Sequence, residues 1–184
     1  ICMILFINGI LYSLYCFENR FNLVLLCFFK PILFVLAKII YACSFCKDRK
    51  YKSFECYRKE IDTFVKKSIS DLDYGNSLSC SEFGLFLIIA SYSSLLIIII
   101  YRFSCLFFAL KLSFNIYIGV VVVLSASIVH FSCFQNDEYK VYFKKFKSYK
   151  NNNKRHLNCL LLIIGAFFAV YLTIVLFKAE YFEF

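Results

Sequence analysis

Of 184 residues, 61% are hydrophobic and 21% aromatic, and the formal net charge is +9. A soluble domain of this size is about 45–50% apolar, and surface-to-volume scaling limits how much apolar surface a soluble core can hide. The composition therefore excludes an ordinary soluble fold and requires lipid as solvent. In a soluble domain the basic balance would point to nucleic acid. In a membrane protein it follows from cytoplasmic loops that collect Lys and Arg, so no nucleic-acid partner is expected.

A spanning helix needs about 20 mostly apolar residues, with a range of about 17–25. Five stretches qualify, predicting an all-α integral membrane protein with about five transmembrane helices and two cytoplasmic amphipathic helices in a single multi-pass domain. The first, 1–17, is short and carries Asn8 and Gly9; it lacks the basic leader and small-residue cleavage site of a signal peptide, so it reads as a retained helix. The second, 23–45, contains Lys30, Pro31 and Lys38. The third, 83–101, follows Ser79-Cys80-Ser81-Glu82, which has the spacing of a capping box. The fourth and fifth are 116–134 and 159–177. The stretch from Arg102 to Asn115 reads as a flat outer-surface linker whose Arg102 and Lys111 snorkel to headgroups.

Charge counting orients the chain. The loop 46–82 holds eight Lys and Arg and the loop 135–158 holds seven, so one side carries fifteen. Arg20, Arg102, Lys111 and Lys178 fall on the other side. Such an asymmetry over short loops places the two basic loops inside. Five crossings then put the first residues inside and the last outside; a re-entrant second stretch would move the first residues outside and leave both loops inside.

Both loops carry helical periodicity. Tyr51, Phe54, Tyr57, Ile61, Phe64 and Val65 recur at three and four, with Glu55 and Lys59, and Asp62 and Lys66, at the i,i+4 spacing that stabilises a helix surface. In the second loop Tyr139, Tyr142, Phe143, Phe146 and Tyr149 share a face opposite Lys140, Lys144, Lys145 and Lys147. Basic amphipathic helices lie in the interface and favour anionic lipid; the alternative is that each docks on the helix bundle. Lys140, Lys144, Lys145 and Lys147 form the expected headgroup surface.

Few residues point to chemistry. Lys30 and Lys38 sit two turns apart in an apolar stretch, and intramembrane charge is a functional signal by default; snorkelling from the two ends, or a helix that starts at Pro31, is the simpler account of them. Cys43-Ser44-Phe45-Cys46 is a CxxC, with His130 and Cys133 as candidate partners, but a structural zinc site ordinarily draws on two such pairs, and thiols beside apolar runs pack as small hydrophobes. No Walker, GxGxxG or HExxH motif occurs, and five glycines leave little for phosphate-cradling loops. The expectation is a non-enzymatic subunit or scaffold, without cofactor, whose partners are the bilayer and other subunits or copies of itself. The alternative is a small oligomeric transporter or channel that uses Lys30 and Lys38. The default membrane is the bacterial cytoplasmic one; an organellar inner membrane would share the composition.

Overall fold

A computed structural model describes residues 2–43, 53–72, 75–107, 113–149 and 153–177. Among the described residues the chain is all-helical. In chain order the helices are α1 (Cys2–Ala42), α2 (Phe54–Ser70), α3 (Asn76–Phe107), α4 (Phe114–Val129), α5 (Glu138–Lys147) and α6 (Asn153–Phe177). Four segments are long and apolar enough to cross a membrane: Met3–Ala42, Asn76–Ser104, Phe114–Ser148 and Asn153–Phe177.

The first two expected spans are one helix. Glu18-Asn19-Arg20 interrupts the hydropathy, but none of residues 17–22 is Gly or Pro, so nothing breaks the backbone, and α1 runs on through Pro31 to Ala42. Pro31 does not start a helix; it sits inside one. At 1.5 Å per residue the 41 residues of α1 reach about 60 Å, twice the roughly 30 Å of a hydrocarbon core. Contacts divide the chain into two units, one of Ile1–Leu14 with Glu82–Phe184 and one of Tyr15–Ser81.

The unit Tyr15–Ser81 is a helical hairpin. Ser53 caps α2, its side chain accepting from the Cys56 N–H at 3.3 Å, as serine does at a helix start. The α2 helix then runs antiparallel to α1. Phe54 packs on Phe34 and Tyr41, with ring centroids 5.7 and 5.5 Å apart, and Tyr57 packs on Tyr41 at 5.6 Å. At the other end the Tyr15 hydroxyl donates to the Ser70 carbonyl at 2.8 Å, satisfying a last-turn acceptor that the helix itself leaves open. The small Ala37, buried, allows this approach. Helix α3 starts at Asn76, ahead of the expected capping box, so Ser79 to Glu82 lie within its first two turns. Gly75 makes the turn: a Cβ there would stand 2.1 Å from the Asp71 carbonyl oxygen.

The other unit packs the first residues of α1 with α3 to α6. Ile98, Tyr117 and Val121 form a buried cluster flanked by Leu95, Leu176 and Phe177. The Tyr117 hydroxyl hydrogen-bonds the Ser94 side chain and its carbonyl, the latter at 3.2 Å. Ser125, Ala166, Ala169 and Thr173 are buried at small-residue positions that let apolar helices close on one another. Arg102 belongs to α3 rather than to a linker, and its guanidinium donates to the Leu176 carbonyl at 2.7 Å. That places a cation on the C-terminal carbonyls of α6, where the helix dipole favours it. Lys154, Arg155 and His156, expected in a linker, open α6.

Candidate functional site

Two features of the fold concentrate polar groups. The first lies in the hairpin. On α1, Lys30, Phe34, Ala37 and Tyr41 recur at helical spacing and face α2, whereas Phe28, Ile32, Val35 and Ile39 form a separate stripe that is 54–74% exposed. Lys38, four residues from Phe34 and three from Val35, is exposed at the edge between the two faces. Between the helices is a groove of about 140 Å³ lined by Lys30, Phe34, Arg58, Ile61, Asp62 and Lys66 among others. The Arg58 guanidinium lies 5.0 Å from the centre of the Phe34 ring, within cation–π range. Arg58, Asp62 and Lys66 are spaced by four and share a face of α2; Lys30 meets them from α1.

The second feature is where α4 ends. The helix widens into a π turn at His130–Phe134, passes through Gln135–Asp137 and restarts as α5. Asn136 and Asp137 take left-handed backbone angles, with φ of 58° and 56°, which Asn and Asp tolerate best after Gly. Asn8, fully buried on α1, donates from Nδ2 to its own Ile4 carbonyl at 3.0 Å and to the Ser132 carbonyl at 2.7 Å. Both partners are acceptors, so the amide nitrogen is identified by its bonds rather than by convention. Its Oδ1 is buried without a hydrogen-bond partner. Below this point Tyr12 meets Phe143 and Phe146 at 5.2 and 5.5 Å, and Arg155 lies over Phe146 at 4.2 Å and Tyr149 at 4.7 Å.

Both amphipathic helices therefore pack part of their apolar faces on helices of their own unit, although Phe64 of α2 stays exposed and Tyr51 lies outside the described residues. On α5, Tyr139, Phe143 and Phe146 are buried. Its basic face stays open: Lys144, Lys145 and Lys147 are exposed, and Lys140 pairs with Asp137 at 3.1 Å. Cys43 is exposed at the end of α1, Cys46 lies outside the described residues, His130 is exposed and packs edge-on against Phe131, and Cys133 is fully buried in the π turn. Among the described residues no three His, Cys, Asp or Glu side chains stand close enough to hold a metal ion. Sequence reading missed the role of Asn8, for which the only signal was an amide in an apolar run, and the π turn, for which there was none.

No protein-family model matches the chain, and neither a curated protein nor a solved structure matches it.

Proposed function

We propose that the protein is a non-enzymatic subunit or scaffold of a cytoplasmic membrane, with four crossings and the α1–α2 hairpin on the inner side. The observation that carries this reading is the packing of α2 along the second half of α1. Helix α2 bears Glu55, Arg58, Lys59, Glu60, Asp62, Lys66 and Lys67. If the second half of α1 crossed the bilayer, these seven would be drawn in with it. At roughly 2.5–3.5 kcal/mol per charge near the bilayer centre, the cost approaches ~20 kcal/mol. Kept on the inner side instead, the hairpin leaves these charges in water, and its exposed Phe28, Ile32, Val35 and Ile39 stripe is an apolar surface open to lipid or to another helix.

The charge count supports the same arrangement. With crossings at 1–17, α3, α4 and α6, Arg20, Lys30 and Lys38 join the fifteen inner cations. Only Arg102, Lys111 and Lys178 remain outside, so eighteen of the 21 Lys and Arg are inside, a sharper asymmetry than five crossings allow. Lys30 and Lys38 leave the hydrocarbon, and with them goes the main support for a transport path. Ile1 then faces outside. Alkaline phosphatase fused ahead of Ile1 in a bacterial host is expected to be active and a fluorescent-protein fusion dark; the reverse pattern would restore five crossings.

The scaffold role rests on surface. In the most apolar windows of α3, of Phe114–Ser148 and of α6 only 17–33% of the residues are buried within the chain, leaving long apolar faces for other helices to cover. Light scattering of the chain extracted in mild detergent is expected to give a protein mass above one protomer. A monodisperse single protomer would sink the association reading while leaving the topology intact.

A further inference from the structure

We infer that the exposed apolar stripe of α1 is the seam on which a second copy of this chain docks, α1 beside α1 and parallel to it. The inference rests on the association reading proposed above and deepens it, naming the partner and the surface. Phe17, Phe21 and Val24 follow a spacing of four and three. Phe28, Ile32 and Val35 repeat it eleven residues later, and Ile39 opens a third round. Eleven residues fill three turns at about 3.67 per turn, so the line keeps to one side of the helix for about 33 Å. Each of these side chains is 50–74% exposed. All lie within the unit Tyr15–Ser81, where α2 packs on the other side of α1, at Phe34 and Tyr41.

Area, symmetry and charge select the occupant. At such exposure, side chains of this size present about 100 Å² each and about 700 Å² together. That exceeds the roughly 300–600 Å² of the largest apolar patch on a typical soluble monomer and approaches the about 800 Å² that each partner gives to a stable interface. Because the stripe repeats at one fixed interval, two copies of it interdigitate about a two-fold axis. The flanking charges set the direction. At about 100° per residue, Glu18 lies about 80° to one side of the stripe's centre and Arg20 about 80° to the other. Two residues apart on one helix, they do not face each other, and among the described residues neither is paired with another charge. In a parallel pair, Glu18 of each copy meets Arg20 of the other, twice over, as flanking charges do in paired helices. In an antiparallel pair centred on Phe28, Arg20 would instead meet Lys38, which lies on its own side of the stripe, and like charges oppose that arrangement.

The experiment is sedimentation equilibrium of the full chain in density-matched detergent micelles. A monomer–dimer equilibrium is expected for the native chain. Phe28→Glu combined with Val35→Glu places charges in the seam and is expected to raise the dissociation constant about a hundredfold or more. Phe64→Glu, on α2 and 70% exposed, is expected to leave it within about twofold. Glu18→Arg and Arg20→Glu are each expected to weaken the dimer about tenfold, since two attractive contacts become two repulsive ones, and the pair of changes together to return it to within about threefold of native. Both charges lie outside the core, so the reversal carries the test if the double stripe variant fails to fold. A tighter dimer in Arg20→Glu, with no change in Glu18→Arg, would overturn the parallel seam in favour of an antiparallel one. A native dimer that none of these variants moves would overturn the stripe as its surface and leave the association reading standing. A native chain that stays a single protomer at every concentration, its stripe covered by detergent, would end the seam and the association reading together. An inactive phosphatase ahead of Ile1 beside the expected pattern of dissociation constants would end the four-crossing reading and spare the seam.

Discussion

Phe146→Ala is expected to be the most damaging single truncation in the chain. The ring is 1% exposed, packed on Tyr12 at 5.5 Å and on Tyr142 at 6.0 Å, and covered on one face by Arg155 at 4.2 Å. Removing it leaves a cavity with an aromatic ring and a guanidinium on its walls. Truncations of buried Phe cost about 3–5 kcal/mol. The cation–π contact, worth about 0.5–2 kcal/mol, is lost in the same event and does not add in full. In a chain of this length about 1 kcal/mol shifts the midpoint by roughly 2–4 °C, so thermal unfolding in detergent is expected to fall by about 10 °C. Phe146→Leu restores volume but not the ring face and should lie between. Val141→Ala, five residues away on α5 and 66% exposed, should change the midpoint by about 2 °C or less. Equal losses at 141 and 146 would mean that α5 does not dock through this face.

The periodicity of the amphipathic helices was legible because it is a local property. Phe54, Tyr57 and Ile61, and Tyr139, Phe143 and Phe146, sit at the spacing that a helix turns to one side, and each set faces the partner its pattern requires. Whether that partner was lipid or protein was not legible, since an apolar face fits both. Spans three to five were visible for the same reason, although their helices start earlier than the apolar runs do: α3 at Asn76 and α6 at Asn153. Hydropathy marks where lipid stops, and a helix stops only where the backbone is interrupted or capped. The same distinction accounts for the single α1. Glu18-Asn19-Arg20 is a polar interruption with no backbone cause, so it divides an apolar pattern without dividing a helix.

Lys30 shows what pattern alone cannot supply. Along the sequence its neighbours are Phe28, Phe29 and Pro31, and the residue looks stranded in hydrocarbon. Across the hairpin it shares a groove with Arg58, Asp62 and Lys66, residues 28 to 36 positions away. The meaning of an isolated charge is set by the helix packed against it, and no window of sequence contains that helix.

Asn8→Ala is expected to release the π turn. Ser132 lies in the last turn before the chain leaves the helix at Gln135 (ψ 122°). Carbonyls of a last turn have no following N–H of the same helix. Asn8 supplies one from 124 residues away, at 2.7 Å and fully buried, between apolar helices where water is scarce. Stranding that carbonyl costs about 1–3 kcal/mol, and the space left by the amide adds a cavity term. The turn that follows already holds Asn136 and Asp137 in left-handed conformations of order 1–3 kcal/mol each, so the surrounding structure must impose them. Loss of the Asn8 clamp should therefore be felt downstream as well as locally. Backbone amides of Gln135 to Glu138 are expected to exchange at least tenfold faster in Asn8→Ala, which corresponds to about 1.4 kcal/mol of lost local stability. Asn8→Ser, which keeps one donor and a smaller side chain, should recover part of the protection, whereas Asn8→Leu fills the volume and should recover none. Equal protection in the Ser and Leu variants would show that Asn8 acts by packing, and that the hydrogen bond to Ser132 does not hold the turn.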